Sequence, residues 1–375
     1  MRMRFESLRR LAPHHPLPRT RGRVRERAYT HESLRLPSPH PSPASGGGSR
    51  PSLPRILLIT STVLAVALTV TSAQAADRIR LAVQRTGTLA WELDVIRTHG
   101  LDKKANLDIQ ALELASTEAG KIAIKGGSAD MMLSDWLWVA RERALGDKLV
   151  FYPSSSTLGA VMVPGNSTIA DVAGLKGKKL AIAGGPLDKS WLLLQGLARR
   201  SGVDLRRQAS IVYGAPPLLS EKALHGEHDA TLTFWNFCAD LEGQGFKRSI
   251  EIAEVMKQLG AKAPVAIVGY TFDSAWSARN KAAVDRFLEA VHQAKEILAS
   301  SETEWQRLAP RIGARDAASL SIYRQRYSAG ILRRPIAEEE ADARTLYTVL
   351  AEVGGTELVG PARELDRGTF YRPGE

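Results

Sequence analysis

The 375-residue sequence predicts an α/β protein of two similar lobes, each built on a mainly parallel sheet. Residues 122–133 and 222–232 share one local design, in which an apolar helix end runs into Gly and is followed by a polar turn, an Asp and a short apolar strand. Gly is favoured where a helix ends in the left-handed conformation, and continuous apolar strands are typical of buried sheets. Two copies in equivalent places indicate two matched lobes, and the cleft between such lobes is a place for a ligand.

Strand and helix patterns alternate through the first lobe. Apolar runs predict strands at residues 79–83, 107–114 and 130–133, and helices are predicted between them at 89–98 and 118–125. This β-α-β-α-β rhythm favours a mainly parallel sheet with helices on both faces.

A second rhythm begins after the turn at residues 164–167 and ends in long helices. The predicted strands are residues 179–183, 210–213, 229–233 and 265–270. The predicted helices are residues 169–175, 190–200, 218–224, 281–300, 302–308, 317–327 and 338–353. The last four are amphipathic and change the character of the chain after the second lobe.

The first 75 residues differ in composition from the rest. They contain twelve Arg, no Lys and three Glu, and therefore hold nine of the eleven net positive charges. The high pI comes from this leader, so we expect no nucleic-acid binding by the folded part. Residues 1–49 are rich in Pro, Ser and Gly and are predicted to be a disordered extension, with translation expected to start near Arg50.

Residues 50–75 have the parts of a secretory signal peptide. Arg50 and Arg55 precede an uncharged apolar run at 56–70, and the small residues around Ala75 predict cleavage after it. An uncleaved anchor is the alternative, but the run is shorter than the roughly 20 residues of a spanning helix. The only cysteine, Cys238, excludes an internal disulfide and is expected to pack as a small apolar side chain. We therefore expect a mature protein in the periplasm.

Residues 168–182 resemble the segment that opens the second lobe of ABC-transporter periplasmic solute-binding proteins. This sequence reads TIADVAGLKGKKLAI and is similar to the nitrate, sulfonate and taurine group, which includes thiamine-pyrimidine-like binders. Residues 100–109, the two Gly-x-x-Asp turns and the C-terminal helices fit the group as well. The resemblance covers nearly all of residues 78–355.

The resemblance implies a type II periplasmic binding fold, in which the chain crosses twice between the lobes. Residues 77–162 with 269–375 would form lobe one, and residues 163–268 would form lobe two. The hinge strands would be residues 160–163 and 265–269. The implied partners are a small-molecule solute, an ABC permease and its ATPase, and we expect a monomer.

The ligand-binding residues are expected in the loops that follow the strands, because ligands bind beyond the carboxyl ends of parallel strands. The candidates are Arg85, Thr86, Thr88, Trp91, Ser116, Thr117, Asp135, Trp136, Gly185, Asp188, Ser190, Trp191, Trp235 and Asn236. Several tryptophans among them predict a pocket with aromatic walls.

Most of these candidates also have an ordinary structural interpretation. Arg85 could hold a carboxylate or sulfonate, or lie solvated in its loop. Ser116 and Thr117 could cap a helix or receive an anion at its start. Asp135 could cap the next helix or face an amine of the ligand. Gly185 would let the backbone approach the ligand closely.

The sequence shows no catalytic constellation, and we expect neither a metal nor another cofactor. The predicted function is capture of a small organic solute for an ABC importer, either a sulfonate, taurine or nitrate-type anion or an aromatic, pyrimidine-like compound. A sensor or accessory binding protein is one alternative. An enzyme resembling the pyrimidine-precursor synthases of the same fold is another.

Overall fold

A computed structural model describes residues 75–84 and 87–374. The predicted disordered extension and nearly all of the predicted signal peptide lie outside the described residues. The ten strands of this part are β1 (Asp77–Gln84), β2 (Leu107–Leu114), β3 (Met131–Asp135), β4 (Leu149–Ser155), β5 (Ala160–Pro164), β6 (Lys179–Ala183), β7 (Ser210–Gly214), β8 (Ala230–Thr233), β9 (Phe246–Glu251) and β10 (Val268–Asp273).

Helices cover both sheets and form the C-terminal third of the chain. They are α1 (Thr88–Thr98), α2 (Leu101–Lys104), α3 (Thr117–Lys125), α4 (Trp136–Ala144), α5 (Lys189–Arg200), α6 (Leu205–Gln208), α7 (Pro216–Leu224), α8 (Trp235–Glu242), α9 (Ile252–Gln258), α10 (Ser274–Arg279), α11 (Lys281–Ser300), α12 (Glu302–Ile312), α13 (Ala317–Ala329) and α14 (Ile336–Val359). None of these helices is long and apolar enough to cross a membrane.

The described residues form two five-stranded sheets of matching order, β2-β1-β3-β10-β4 and β7-β6-β8-β5-β9. In the first sheet β1, β2, β3 and β4 run in one direction and β10 runs against them. The second sheet repeats this with β5 as the reversed strand. The two-lobed α/β prediction is confirmed, with each sheet mixed because one strand arrives from the other lobe.

The turn that recurs in the two lobes, at residues 122–133 and 222–232, makes the same hydrogen bonds in both places. Asp130 Oδ2 accepts from the backbone N–H of Arg80 at 2.8 Å, and Asp229 Oδ2 accepts from the backbone N–H of Lys179 at 2.7 Å. The backbone N–H of each Asp also donates to the carbonyl of the same partner. Each Asp therefore fixes the start of β3 or β8 against the neighbouring strand β1 or β6, which is why the turn carries that residue in both lobes.

The chain passes from the first sheet to the second between β4 and β5, at residues 156–159. This crossing precedes the segment 160–163 that the resemblance implies as a hinge. Residues 160–163 are fully buried within β5 and pair with both β8 and β9, so the sheet fixes their backbone. The return crossing follows α9 and leads into β10 at Val268.

The last helix, α14, packs against both lobes. Tyr347 lies against Trp136 of α4, with ring centroids 6.4 Å apart, and α14 also packs along α5 of the second lobe. Two carboxylates of α14 bind the backbone of the segment that returns to the first sheet. Asp342 accepts from the backbone N–H of Lys262 at 3.0 Å, and Glu339 accepts from the backbone N–H of Ala266 at 2.9 Å. The C-terminal helix therefore joins the two lobes on the side of the second crossing.

One predicted helix is largely absent. Of residues 169–175 only the turn Ala173–Leu175 is helical, and it is a 3₁₀ turn. The carboxylate of Asp171 accepts from the backbone N–H of Gly174 at 2.9 Å, which gives the backbone a local alternative to an α-helix.

Cys238 packs in the core of the second lobe and is fully buried. Burial raises the pKa of its thiol to about 12, so the side chain is a neutral thiol at physiological pH.

Candidate functional site

A cleft of about 700 Å³ lies where strands of both sheets end. The first sheet contributes residues that follow β1, β2 and β3, and the second contributes residues that follow β6 and β8. Residues of both crossings, including Leu158 and Ile267, line it as well. The carboxyl ends of the strands therefore face a shared space, as expected for ligand sites in α/β sheets.

Five helices start at this cleft, and three of the starts are capped by a side chain. Ser116 Oγ accepts from Ala119 N–H at 3.2 Å at the start of α3. Asp135 Oδ1 accepts from Trp138 N–H at 2.9 Å at the start of α4, and Asp188 Oδ1 accepts from Trp191 N–H at 3.0 Å at the start of α5. Each cap satisfies a backbone donor that has no partner inside the helix.

The other two starts have no side-chain cap. These are α1, which follows Gly87, and α8, which follows Phe234. Phe234 and Asp135 hold equivalent places, five residues after Asp229 and Asp130 respectively. The second lobe therefore has an aromatic ring where the first has a capping carboxylate.

An ion pair spans the cleft between residues of the two lobes. Lys189 Nζ, at the start of α5, lies 2.9 Å from Asp135 Oδ2, at the end of β3. Burial favours the neutral form of Asp135, but Lys189 and the Trp138 N–H outweigh it and lower the pKa of this carboxyl. Burial opposes the charge of Lys189 as well, yet Asp135 raises its pKa. Both groups are therefore ionised at neutral pH.

Asp188 lies next to this ion pair and titrates differently. Burial raises its pKa to about 6, with Asp135 adding to the effect and the helix N–H groups and Lys189 opposing it. The carboxylate caps α5, but Lys189 makes its ion pair with Asp135. Asp188 is thus a carboxylate of the cleft that lacks an ion pair among the described residues.

Polar side chains of the first lobe complete the site. Gln84 Nε2 donates to Thr117 Oγ1 at 2.6 Å, which links the ends of β1 and β2. At the rim, Lys121 pairs with Glu118 at 2.8 Å and lies 5.3 Å from the centre of the Trp138 ring.

Trp235 is the tryptophan that lines the cleft. Its ring packs edge-on against Trp91 and Tyr323, with centroids 6.0 and 6.1 Å away. The predicted wall of several tryptophans is not found, because Trp91, Trp136 and Trp191 are buried in the core and do not line the cleft. Phe234, 39% exposed, provides a second aromatic surface.

Nine of the predicted ligand-binding residues line the cleft: Thr88, Ser116, Thr117, Asp135, Gly185, Asp188, Ser190, Trp235 and Asn236. Arg85 and Thr86 lie outside the described residues. Sequence reasoning missed several lining residues, among them Gln84, Lys121, Ser134, Lys189 and Phe234. Gln84, Ser134 and Phe234 adjoin the predicted loops, and their places at strand ends were the available signal.

The two-sheet architecture and the cleft at the strand ends are those of the periplasmic-binding-protein fold. Residues 95–303 match the family model described as NMT1/THI5 like. This is more than half of the chain, which therefore belongs to the NMT1/THI5-like family. No curated protein matches the sequence.

Solved structures show the same fold at low sequence identity. The periplasmic aliphatic sulphonate binding protein SsuA of Escherichia coli is 20% identical, covers 79% of this chain and 92% of its own, and has a TM-score of 0.64. The alkanesulfonate-binding protein SsuA of Xanthomonas axonopodis pv. citri, bound to MOPS, is 17% identical over 79% of this chain and 98% of its own, with a TM-score of 0.59. A putative sulfonate-binding SsuA of Methylobacillus flagellatus is 15% identical over 79% and 92%, with a TM-score of 0.57.

Proposed function

We propose that this protein is the substrate-binding component of an ABC importer. It captures a small organic solute in the cleft and delivers it to a permease driven by an ATPase. The observation that carries the proposal is a cleft lined from both lobes, with Lys189 of one lobe reaching Asp135 of the other. The family and the fold shared with sulfonate-binding proteins support it.

The size and lining of the cleft favour an organic solute over a bare inorganic ion. A space of about 700 Å³ is in the range of sites for drug-sized molecules. Apolar side chains such as Leu114, Leu158 and Trp235 line much of it. Burying an apolar body against them contributes roughly 25 cal/mol for each Å² removed from water.

The proposed capture step is closure of the lobes about the two crossings. A solute that touches both lobes only in the closed form stabilises that form, and the shift is as large as its differential affinity. The closed form is the state we propose to dock on the permease. The protein acts as a monomer in the periplasm, without catalysis, after cleavage of the signal peptide behind Ala75.

Native mass spectrometry of protein isolated from the periplasmic fraction tests this proposal. We expect a mature chain that begins at Ala76 and retains a small molecule. Small-angle scattering before and after removal of that molecule should show a more open protein without it. A protein found in the cytoplasmic fraction, or one that turns over the retained molecule, contradicts the proposal.

A further inference from the structure

Among the charged side chains that line the described part of the cleft, carboxylates outnumber ammonium groups. Four are carboxylates, Glu118, Asp135, Asp188 and Glu357, and two are ammonium groups, Lys121 and Lys189. Lys121 pairs with Glu118 at 2.8 Å and Lys189 pairs with Asp135 at 2.9 Å. Two carboxylates remain without an ion pair within the described residues, and Asp188 is the inner one.

The surroundings of Asp188 favour a positive neighbour. The one ammonium group beside it, that of Lys189, is partly exposed and pairs with Asp135, so the three groups together have a net charge of minus one when ionised. Burial beside another carboxylate raises the pKa of Asp188 to about 6, which shows that its charge is only partly compensated. A cation beside it would stabilise the ionised form.

A residue that lines the cleft also carries a buried hydrogen-bonding group without a partner among the described residues. Ser134 lines the cleft, is 3% exposed, and its Oγ has no hydrogen-bond partner among the described residues. Buried hydroxyl groups nearly always have a partner, so one without any at a cleft surface indicates that a bound molecule supplies it. A serine hydroxyl can accept from an N–H group or donate to an acceptor.

Aromatic rings lie at the same edge of the second sheet as Asp188. Strands β6 and β8 pair in parallel, so Asp188, which follows β6, and Trp235, which follows β8, come from adjacent strand ends. Phe234 lines the cleft beside Trp235. An aromatic face near a carboxylate suits an organic cation, because the ring quadrupole attracts positive charge.

The usual positions for an anion are partly filled by the protein itself. Helix N-termini attract anions, but Asp135 and Asp188 already cap the starts of α4 and α5 in the cleft. A sulfonate placed there would meet these carboxylates and be repelled. Only α1 and α8 start at the cleft without a side-chain cap within the described residues.

We propose that the captured solute is an organic cation, with an apolar body against Trp235 and Phe234 and a charged nitrogen beside Asp188. This inference rests on the proposed capture function and concerns only the charge of the solute. Ser134 then receives or donates a hydrogen bond at the polar end of the solute.

A matched series of probes tests the charge assignment by calorimetry on the full mature protein, freed of retained solute. The probes are 2-phenylethylammonium, 2-phenylethanol and 2-phenylethanesulfonate, which share one apolar body. We expect the ammonium compound to bind tightest and the sulfonate weakest. Asp188→Asn should weaken binding of the ammonium compound by roughly tenfold and change that of the alcohol far less.

Asp204→Asn is the matched control, because Asp204 caps α6 in the same lobe and does not line the cleft. Asn is a good helix cap, so both variants should fold with the parent's melting temperature. The inference is overturned if the sulfonate binds as tightly as the ammonium compound, if none of the probes binds, or if Asp188→Asn leaves the preference unchanged. Failure of the proposed capture function would give a different result. The isolated protein would then retain no small molecule, and no added solute would change its small-angle scattering curve.

Discussion

At the scale of single residues, Trp235 belongs both to the wall of the cleft and to the packing between the lobes. Trp235 lines the cleft, and its ring contacts Trp91, Tyr323 and Tyr327 of the first-lobe core. Since these partners belong to the other lobe's helices, Trp235 couples the wall of the cleft to the packing between lobes. Its removal should therefore lower both the affinity for the solute and the stability of the protein.

We expect Trp235→Ala to weaken solute binding at least tenfold and to destabilise the protein by about 2–3 kcal/mol, because a half-buried ring that contacts three others is lost. Calorimetry with the retained solute and urea unfolding measure the two effects. Trp276→Ala is the control. Trp276 is a residue of α10 that packs against Phe272 of β10 and does not line the cleft. It should lose stability and keep its affinity. Equal affinity in both variants contradicts the assignment of Trp235.

Residue types and strand ends were enough to bring nine of the predicted residues to the cleft, but not to assign the hydrogen-bond and ion-pair partners of these residues. Asp135 could cap a helix or face an amine, and in the structure Oδ1 caps α4 while Oδ2 bonds to the protein's own Lys189. That pair joins two lobes and depends on how they face each other, which no local pattern encodes. Trp91 and Trp191 lie near strand ends as predicted, yet their rings turn into the core, since burial of so large a ring outweighs exposure.

At the scale of elements, α14 of the C-terminal segment packs along α5 of the second lobe. Gly196 of α5 faces Val349 of α14, and a Cβ built on this glycine would lie 2.6 Å from Val349 Cγ1. Glycine is thus required by the approach of the two helices, although it weakens the middle of a helix.

Gly196→Ala should therefore destabilise the protein by about 1–3 kcal/mol through overpacking, despite the better helix propensity of alanine. Gly174→Ala serves as the control, because its nearest atom would be 3.5 Å away, an ordinary contact, and its stability should change by less than about 0.5 kcal/mol. Urea midpoints of both variants provide the measurement. A Gly196→Ala variant as stable as the control would show that the helices are not tightly packed there.

The elements that sequence patterns missed have a common physical cause. Strands β4 and β9 were not predicted, and both lie at the edge of their sheets. Edge strands pair on one side only, so they tolerate Pro153, which interrupts β4 after the apolar residues 149–152, and the charged side chains of β9. The interior strands β1, β6 and β8 have two paired neighbours and well-buried apolar residues, and were found within a few residues of their bounds.

At the scale of the whole molecule, the Asp135–Lys189 ion pair links the lobes across the cleft. Breaking it from the Lys189 side leaves Asp135 and Asp188 together in the cleft with no ammonium group between them. Their repulsion favours separation of the lobes, because the carboxylates gain water when the cleft opens.

Lys189→Met should accordingly favour the open form by about 1–3 kcal/mol and increase the radius of gyration of the solute-free protein. Small-angle scattering detects this change. Lys222→Met is the control, since Lys222 pairs with Glu227 on the surface of the same lobe, 2.6 Å away, and its loss should leave the scattering curve unchanged. Identical curves for Lys189→Met and the parent would show that the ion pair does not hold the lobes.

The interleaved order of the strands bears on how the protein is made. Strand β10 lies between β3 and β4, so the first sheet is incomplete until residues 268–273 have been synthesised. Phe151 of β4 forms backbone hydrogen bonds with Thr369 and Tyr371, which are synthesised later still. Pairing over such separations is slow, because loop closure precedes the gain from contact. A nascent polypeptide of this topology therefore stays incompletely folded until its synthesis is nearly finished.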